Sequence, residues 1–207
     1  MINRNEINLM PHQWEEFNGD YFISNNFIKL KEKFNLTHAV ELGTCLGSTA
    51  IWLSKNFTKV DTIEINEDFA KIAIERFMEA DVHNISIHVG NTTDILPTLN
   101  IDNNAIIFID SHWYDVCPML QELTIIADKK IKPVIAIHDF FVPYEPNLGY
   151  DTIHGQGFSL LWIEPYLEAI YGVDGYDYYF NSDAESTDIK RGIIYITPKK
   201  QNNELDK

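Results

Sequence analysis

Five times between residues 37 and 139 the chain runs a short stretch of nearly unbroken apolar residues, and helix-length segments of mixed polarity lie between these runs. The runs are "THAVELG", "KVDTIEI", "ISIHVG", "NAIIFID" and "KPVIAIHD". The segments between them are "GSTAIWLSKN", "NEDFAKIAIERFMEA", the short "TTDILPTL" and "VCPMLQELTIIAD". Strands that are apolar along their whole length belong to a sheet covered on both faces, and helical crossovers make neighbouring strands parallel. Right-handed crossovers then predict an α/β fold built on a doubly wound, mainly parallel sheet. After Asp139 the pattern changes: a long aromatic loop, a helix over "FSLLWIEPYLEAIYG", and two strands, "YDYYFNS" and "RGIIYIT". These two read as a C-terminal antiparallel pair at the sheet edge, for seven strands in all.

Loose helical spacing of Trp14, Phe17, Tyr21, Phe27, Leu30 and Phe34, broken at Asn18-Gly19, marks an N-terminal helical cap over 1–34. The main domain then spans 35–200, and a polar tail, 201–207, is expected to be disordered. The chain has 16 Lys plus Arg against 31 Asp plus Glu, a net charge of −15. A surface of that sign repels phosphate backbones and anionic lipid, so neither nucleic acid nor membrane is the expected partner. No apolar run approaches the roughly 20 residues that cross a bilayer. The sequence "MINRNEINLMPHQWEEF" lacks the apolar stretch of a secretory signal, and Cys45 and Cys117 form no disulfide or metal spacing. A reducing cytoplasm is the expected setting.

In open α/β sheets, ligands bind beyond the carboxyl ends of the strands, near the point where strand order reverses. The strand ends supply, in order, Glu41, Glu64, Gly90, Asp110 and the pair His138-Asp139. One carboxylate at such a place is as readily a helix cap. Four of five strand ends carrying one argues for a shared ligand. In "ELGTCLGST", Gly43 and Gly47 flank a bend from strand to helix, where glycine permits torsions closed to other residues. The helix beyond offers free N–H groups to an anion. Glu64, at the second strand's tip, suits the hydroxyls of a ribose, although the dehydrogenase pattern G-x-G-x-x-G is absent.

Together, "ELGTCLGSTA", "TIEINEDFA", "HVGNTTDILPTL", "FIDSHW" and "IAIHDF" resemble class I S-adenosylmethionine (SAM) dependent methyltransferases, whose loop has this E-x-G-x-x-x-G form. The likeness is to catechol O-methyltransferase and its small-molecule relatives, over roughly residues 39 to 140. The portion "FIDSHWYD…IHDF" also resembles a broader branch that includes sugar and antibiotic-tailoring enzymes. The resemblance implies a Rossmann-like methyltransferase fold, SAM as cofactor and a small-molecule acceptor. It makes Glu41, Gly43, Thr44 and Gly47 the loop around the methionine part, with Thr49 near its carboxylate. Glu64 would hold the ribose, Ile65 would lie against the adenine, and Asn91, Thr92 and Thr93 would border it. Asp110 would join this set, and His112 or Trp113 would close over the base.

In the catechol-type enzymes the aspartate equivalent to Asp110 ligates a divalent ion with an Asp-Asn pair on the fifth strand. Here that pair reads His138-Asp139, giving the candidate metal set Asp110, His138 and Asp139. Replacing a carboxylate by imidazole weakens a magnesium site and suits manganese or another transition metal. Without a metal, His112 or His138 is the candidate general base, with Asp139 or Asp110 orienting it. The lysine that follows H-W in those enzymes is Tyr114 here, and His154 is a further candidate from the loop "IHGQG". Phe140, Phe141, Tyr144, Tyr150 and Phe158 form either an acceptor wall or core under the loop. Two other readings stand beside methyl transfer: a SAM-binding fold with other metal-assisted chemistry, and a non-catalytic SAM-binding subunit. The sequence leaves oligomeric state open.

Overall fold

The structure is a computed structural model that describes residues 14–113, 115–184 and 190–199. Residues 1–13 of the expected cap, Tyr114 and the expected tail lie outside the described residues. In chain order, α1 (Tyr21–Phe34) leads to β1 (His38–Leu42), α2 (Ser48–Asn56), β2 (Lys59–Glu64), α3 (Glu67–Glu79) and β3 (Ile85–Val89). Then come α4 (Thr92–Ile95), β4 (Ala105–Ile109), α5 (Met119–Asp128) and β5 (Val134–His138). The chain ends with β6 (Thr152–Ile153), β7 (Gln156–Gly157), α6 (Leu160–Tyr171), β8 (Tyr176–Phe180) and β9 (Ile193–Pro198).

Seven strands form one sheet in the order β3-β2-β1-β4-β5-β9-β8. β1 is parallel to both β2 and β4, β3 is parallel to β2, and β5 to β4. The C-terminal antiparallel pair forms as the sequence indicated, but only β8 is an edge: β9 lies between β5 and β8, antiparallel to both. The sequence also gave no sign of β6 and β7, a small antiparallel ribbon inside the aromatic loop.

Period-two alternation divides the core between the sheet's faces. Along β4, Ala105, Ile107 and Ile109 join α5 (Met119, Leu123, Ile126) and α6 (Ile163, Leu167, Ile170). Ile106 and Phe108 point the other way, among α1 (Ile23, Phe27, Leu30) and Leu53 of α2. Each buried Ile, Leu, Phe or Met among these stabilises the fold by roughly 1.5–3 kcal/mol. No helix of the described residues is long and apolar enough to cross a membrane.

The break at Asn18-Gly19 is a short 3-10 turn, Glu16–Gly19, with left-handed backbone at Phe17 (φ 48°) and Asn18 (φ 55°). A phenylalanine in that region is strained. The offsetting gain is aromatic packing: the buried Phe17 ring lies 4.9 Å from Phe27, 5.1 Å from Trp52 and 5.5 Å from Phe108. The turn is thereby anchored beside α2, whose N-terminus belongs to the candidate site.

Candidate functional site

From β1 the chain winds outward to β2 and β3 on one side of the sheet, then returns to β4 and β5 on the other. The order therefore reverses between β1 and β4, and the crevice beyond their carboxyl ends is where such folds bind ligands. Gly43 makes the loops after β1 and β4 touch. It has φ 101°, and a Cβ placed on it would fall 2.3 Å from the carbonyl oxygen of Asp110. Gly47 (φ 77°) serves a different contact: a Cβ there would meet the Phe77 ring at 2.5 Å, so it lets α2 approach α3.

Beneath Gly43 the polar side chains turn inward. Glu41 is buried and accepts a hydrogen bond from the Thr62 hydroxyl, which in turn lies 2.5 Å from the hydroxyl of Thr44. Burial pushes the Glu41 carboxyl up to about 8; Thr62 opposes the shift, and the charges of Asp110 and Glu64 add to it. Glu64 ties two loops together: Oε2 accepts the Cys45 N–H at 2.7 Å and Oε1 accepts the Asn66 N–H at 2.8 Å. Burial raises its carboxyl too, against those N–H groups.

At the start of α2, the Thr49 hydroxyl accepts the Phe17 N–H at 2.9 Å, and the Ser48 hydroxyl donates to the Trp14 carbonyl at 2.8 Å. Arg76 donates to the Leu46 carbonyl at 2.7 Å and to the Ser48 hydroxyl at 2.9 Å, so the N-terminal turn and α3 both clamp this end. Beyond β3, Asn91 caps α4 by accepting the Thr93 N–H at 3.0 Å and the Thr93 hydroxyl at 2.9 Å. Thr92 is buried. Ile65 (66% exposed) and Trp113 (54% exposed) present apolar surface.

The second half of the site is a charged cluster. His112 Nε2 lies 3.1 Å from Asp139 Oδ2 and 3.1 Å from Asp151 Oδ2. His138 Nδ1 lies 3.5 Å from Asp110 and 3.2 Å from Asp139, close enough for charge attraction but without an aligned hydrogen bond. Arg191 completes the cluster, with Nε 3.1 Å from Asp139 Oδ1 and Nη1 2.8 Å from Asp151 Oδ1. Asp139 bends out of β5 with φ 54°, and its carbonyl accepts the Asp151 N–H at 2.9 Å. Burial disfavours the charged form of His112, but Asp139 and Asp151 outweigh it and raise the imidazole to about 10. His138 is raised as well, by Asp139 and Asp110 against its burial, and Asp139 is held far below the carboxylate range by the cations around it, His138 foremost, despite burial.

The structure thus brings Asp110, His112, His138 and Asp139 together and adds Asp151 and Arg191, which sequence reasoning missed. His154 sits exposed at the turn between β6 and β7. Of the aromatic loop residues, Phe140 and Phe158 are core, whereas Tyr144 is 99% exposed. Phe158 stands edge-on to His112, 4.9 Å away, and stacks on Trp162. Phe141 and Tyr150 pair with ring centres 5.1 Å apart.

One ligand atom each from Asp110, His112 and Asp139 lies within 4.8 Å of the others, the span of a metal site. Arg191 already pairs with one carboxylate of this set. Three carboxylates face two imidazoles held protonated and one guanidinium, and Asp139 already has all three cations as neighbours. An ion there would have to take Asp139 Oδ1 from Arg191, whose Nε lies 3.1 Å away. The other half of the rim carries the Gly43 contact, the buried Glu41 and Glu64 and the N-terminus of α2.

No family model matches the chain, and no curated protein matches it. Solved structures do share its fold. The O-methyltransferase TomG from Streptomyces achromogenes, in complex with SAM, is 21% identical, with TM-score 0.62 over 86% of this chain and 80% of that one. An O-methyltransferase from Bacillus cereus in complex with SAH is 19% identical, with TM-score 0.62 over 86% and 81%. An rRNA methylase from Streptococcus thermophilus is 12% identical, with TM-score 0.55 over 86% and 95%. The chain has the Rossmann-like methyltransferase fold, and that fold serves acceptors of very different size.

Proposed function

We propose that this protein transfers the methyl group of SAM to a hydroxyl oxygen of a small molecule, and that it does so without a divalent ion. The observation that carries the reading is the joining of two half-sites at one rim: the Gly43–Asp110 contact links the nucleoside loops to the charged cluster. The net charge of −15 favours a small acceptor over RNA. The fold shared with SAM-bound O-methyltransferases supports the cofactor.

SAM supplies an activated methyl group on a sulfonium. The chain's own residues must bind it, orient the acceptor and handle one proton. Glu64 and Asp110 make the crevice attractive to a cation. Glu64 is the partner for the ribose hydroxyls, Ile65 and the α4 start border the base, and Thr49 with the first turn of α2 faces the methionine carboxylate. His112, as an imidazolium, donates to the acceptor oxygen and stabilises the negative charge that grows there, the role a metal plays elsewhere. Asp110 is the carboxylate of the cluster least tied to a cation and takes the hydroxyl proton. His138 is 3% exposed, so it acts behind Asp110 and Asp139 and does not touch the acceptor. The exposed Phe141–Tyr150 pair provides apolar surface for a ring.

Incubation with SAM and a panel of phenols and sugars in excess chelator, read by mass spectrometry, tests this. A product heavier by one CH2 is expected in chelator, and activity restored only by manganese or magnesium would contradict the metal-free reading. The pH profile is a second check. A cationic His112 gives a rate steady above neutrality that falls as pH passes about 10, whereas a general base would give a rate still rising there.

A further inference from the structure

Glu122 is fully buried on α5, at a place where helix geometry calls for an apolar side chain: Met119, Leu123 and Ile126 share its face. Its Oε1 accepts two hydroxyl hydrogen bonds, from Thr92 at 2.5 Å and from Ser111 at 2.7 Å. Thr92 opens the helix beyond β3, and Ser111 follows Asp110 beyond β4. The second oxygen, Oε2, is buried with no hydrogen-bond partner. A carboxyl in this position is expensive, since an apolar residue of similar size removes the unmet desolvation. The location of its two partners gives a reason for keeping it, because they sit on the two loops that flank the base in the proposed SAM site.

We propose that Glu122 is the positioning residue for the nucleobase: by holding Thr92 and Ser111 on one oxygen it fixes the third and fourth strand loops at the separation an adenine needs. The assignment rests on the SAM reading. Glu122 contributes to cofactor affinity and base choice through those loops, and it has no part in the methyl transfer itself. Burial also raises the Glu122 carboxyl, against the Thr92 and Ser111 hydrogen bonds.

The test is calorimetric binding of S-adenosylhomocysteine and of its inosine analogue to the full chain and to Glu122→Gln and Glu122→Leu, with melting curves alongside. Gln keeps an acceptor oxygen for both hydroxyls and should bind within about threefold of the parent. Leu keeps the volume and loses the tether; with the Thr92 and Ser111 hydroxyls left without an acceptor it should stay folded with a somewhat lower melting point and bind S-adenosylhomocysteine at least about tenfold more weakly. The preference for adenosyl over inosyl should shrink with it, a change that a purely structural role does not produce. Parent-like affinity and base preference in Glu122→Leu would overturn the assignment alone. A parent protein that binds neither compound would overturn the SAM reading and this assignment with it.

Discussion

Asp139→Asn is expected to lower the stability of the protein by about 3 kcal/mol at neutral pH, the scale seen when one partner of a buried ion cluster is removed. The substitution is nearly isosteric, and asparagine tolerates the left-handed backbone at this position (φ 54°), so the loss reports charge rather than shape. Asp139 is the neighbour common to His112, His138 and Arg191, and without its charge all three are left in a site with too few anions. The sign follows from its depressed carboxyl: the stabilisation is present above the unfolded value near 3.8 and is lost as pH falls. Urea unfolding at pH 7 measures it, and a melting point lower by about 6–12 °C is the expected companion for a chain of this size. Asp139 is also a main reason that His112 stays charged, so the imidazole of the variant should titrate well below about 10. A variant as stable as the parent would mean that the cluster is not a charge-balanced unit.

The opposite sign is expected at Glu41. Its folded carboxyl is raised from 4.5 to about 8, first by burial and then by the charges of Asp110 and Glu64, with Thr62 opposing. Between these values the folded form holds a proton that the unfolded chain has released, so this group's contribution falls as pH rises from 4.5 to about 8 and stays low above it. Glu41→Gln keeps the acceptor for Thr62 and removes the titration. The variant should match the parent near pH 4.5 and exceed it by about 5 kcal/mol at pH 8.5, the energy of a shift of that size. Stability curves against pH for both proteins decide it, and parallel curves would contradict the account. A buried acid that destabilises the free protein makes physical sense at a rim built for a cationic ligand, where binding supplies the missing counter-charge.

The difference between what the sequence announces and what it conceals has a physical basis. Each parallel strand is legible because burial on both faces leaves almost no polar residue in it, as in Ala105–Ile109. The strand tips follow from the strands, which is why Glu41, Glu64, Asp110 and Asp139 could be named. The break at Asn18-Gly19 was legible but the left-handed backbone of Phe17 was not, because a left-handed phenylalanine is chosen by the aromatic nest that receives it and not by local preference. Arg191 and Asp151 were missed for a related reason: they reach the cluster from 40 positions apart in a region with no strand-end pattern. Arg191 did leave one trace, being one of only three arginines in the chain. Glu122 left a clearer one, an acid on the apolar face of a helix between Met119 and Leu123. The candidate metal set shifted because His112, placed by the loop after β4, reaches Asp139 more directly than the strand order suggests.

The central claim is that the β1–β4 crevice of this chain holds a SAM-type nucleoside with no help from a divalent ion. Titration calorimetry with S-adenosylhomocysteine in excess chelator, run beside NAD, addresses it most directly. One site per chain for S-adenosylhomocysteine and no heat with NAD are expected; silence with S-adenosylhomocysteine, or equal binding of NAD, would contradict this.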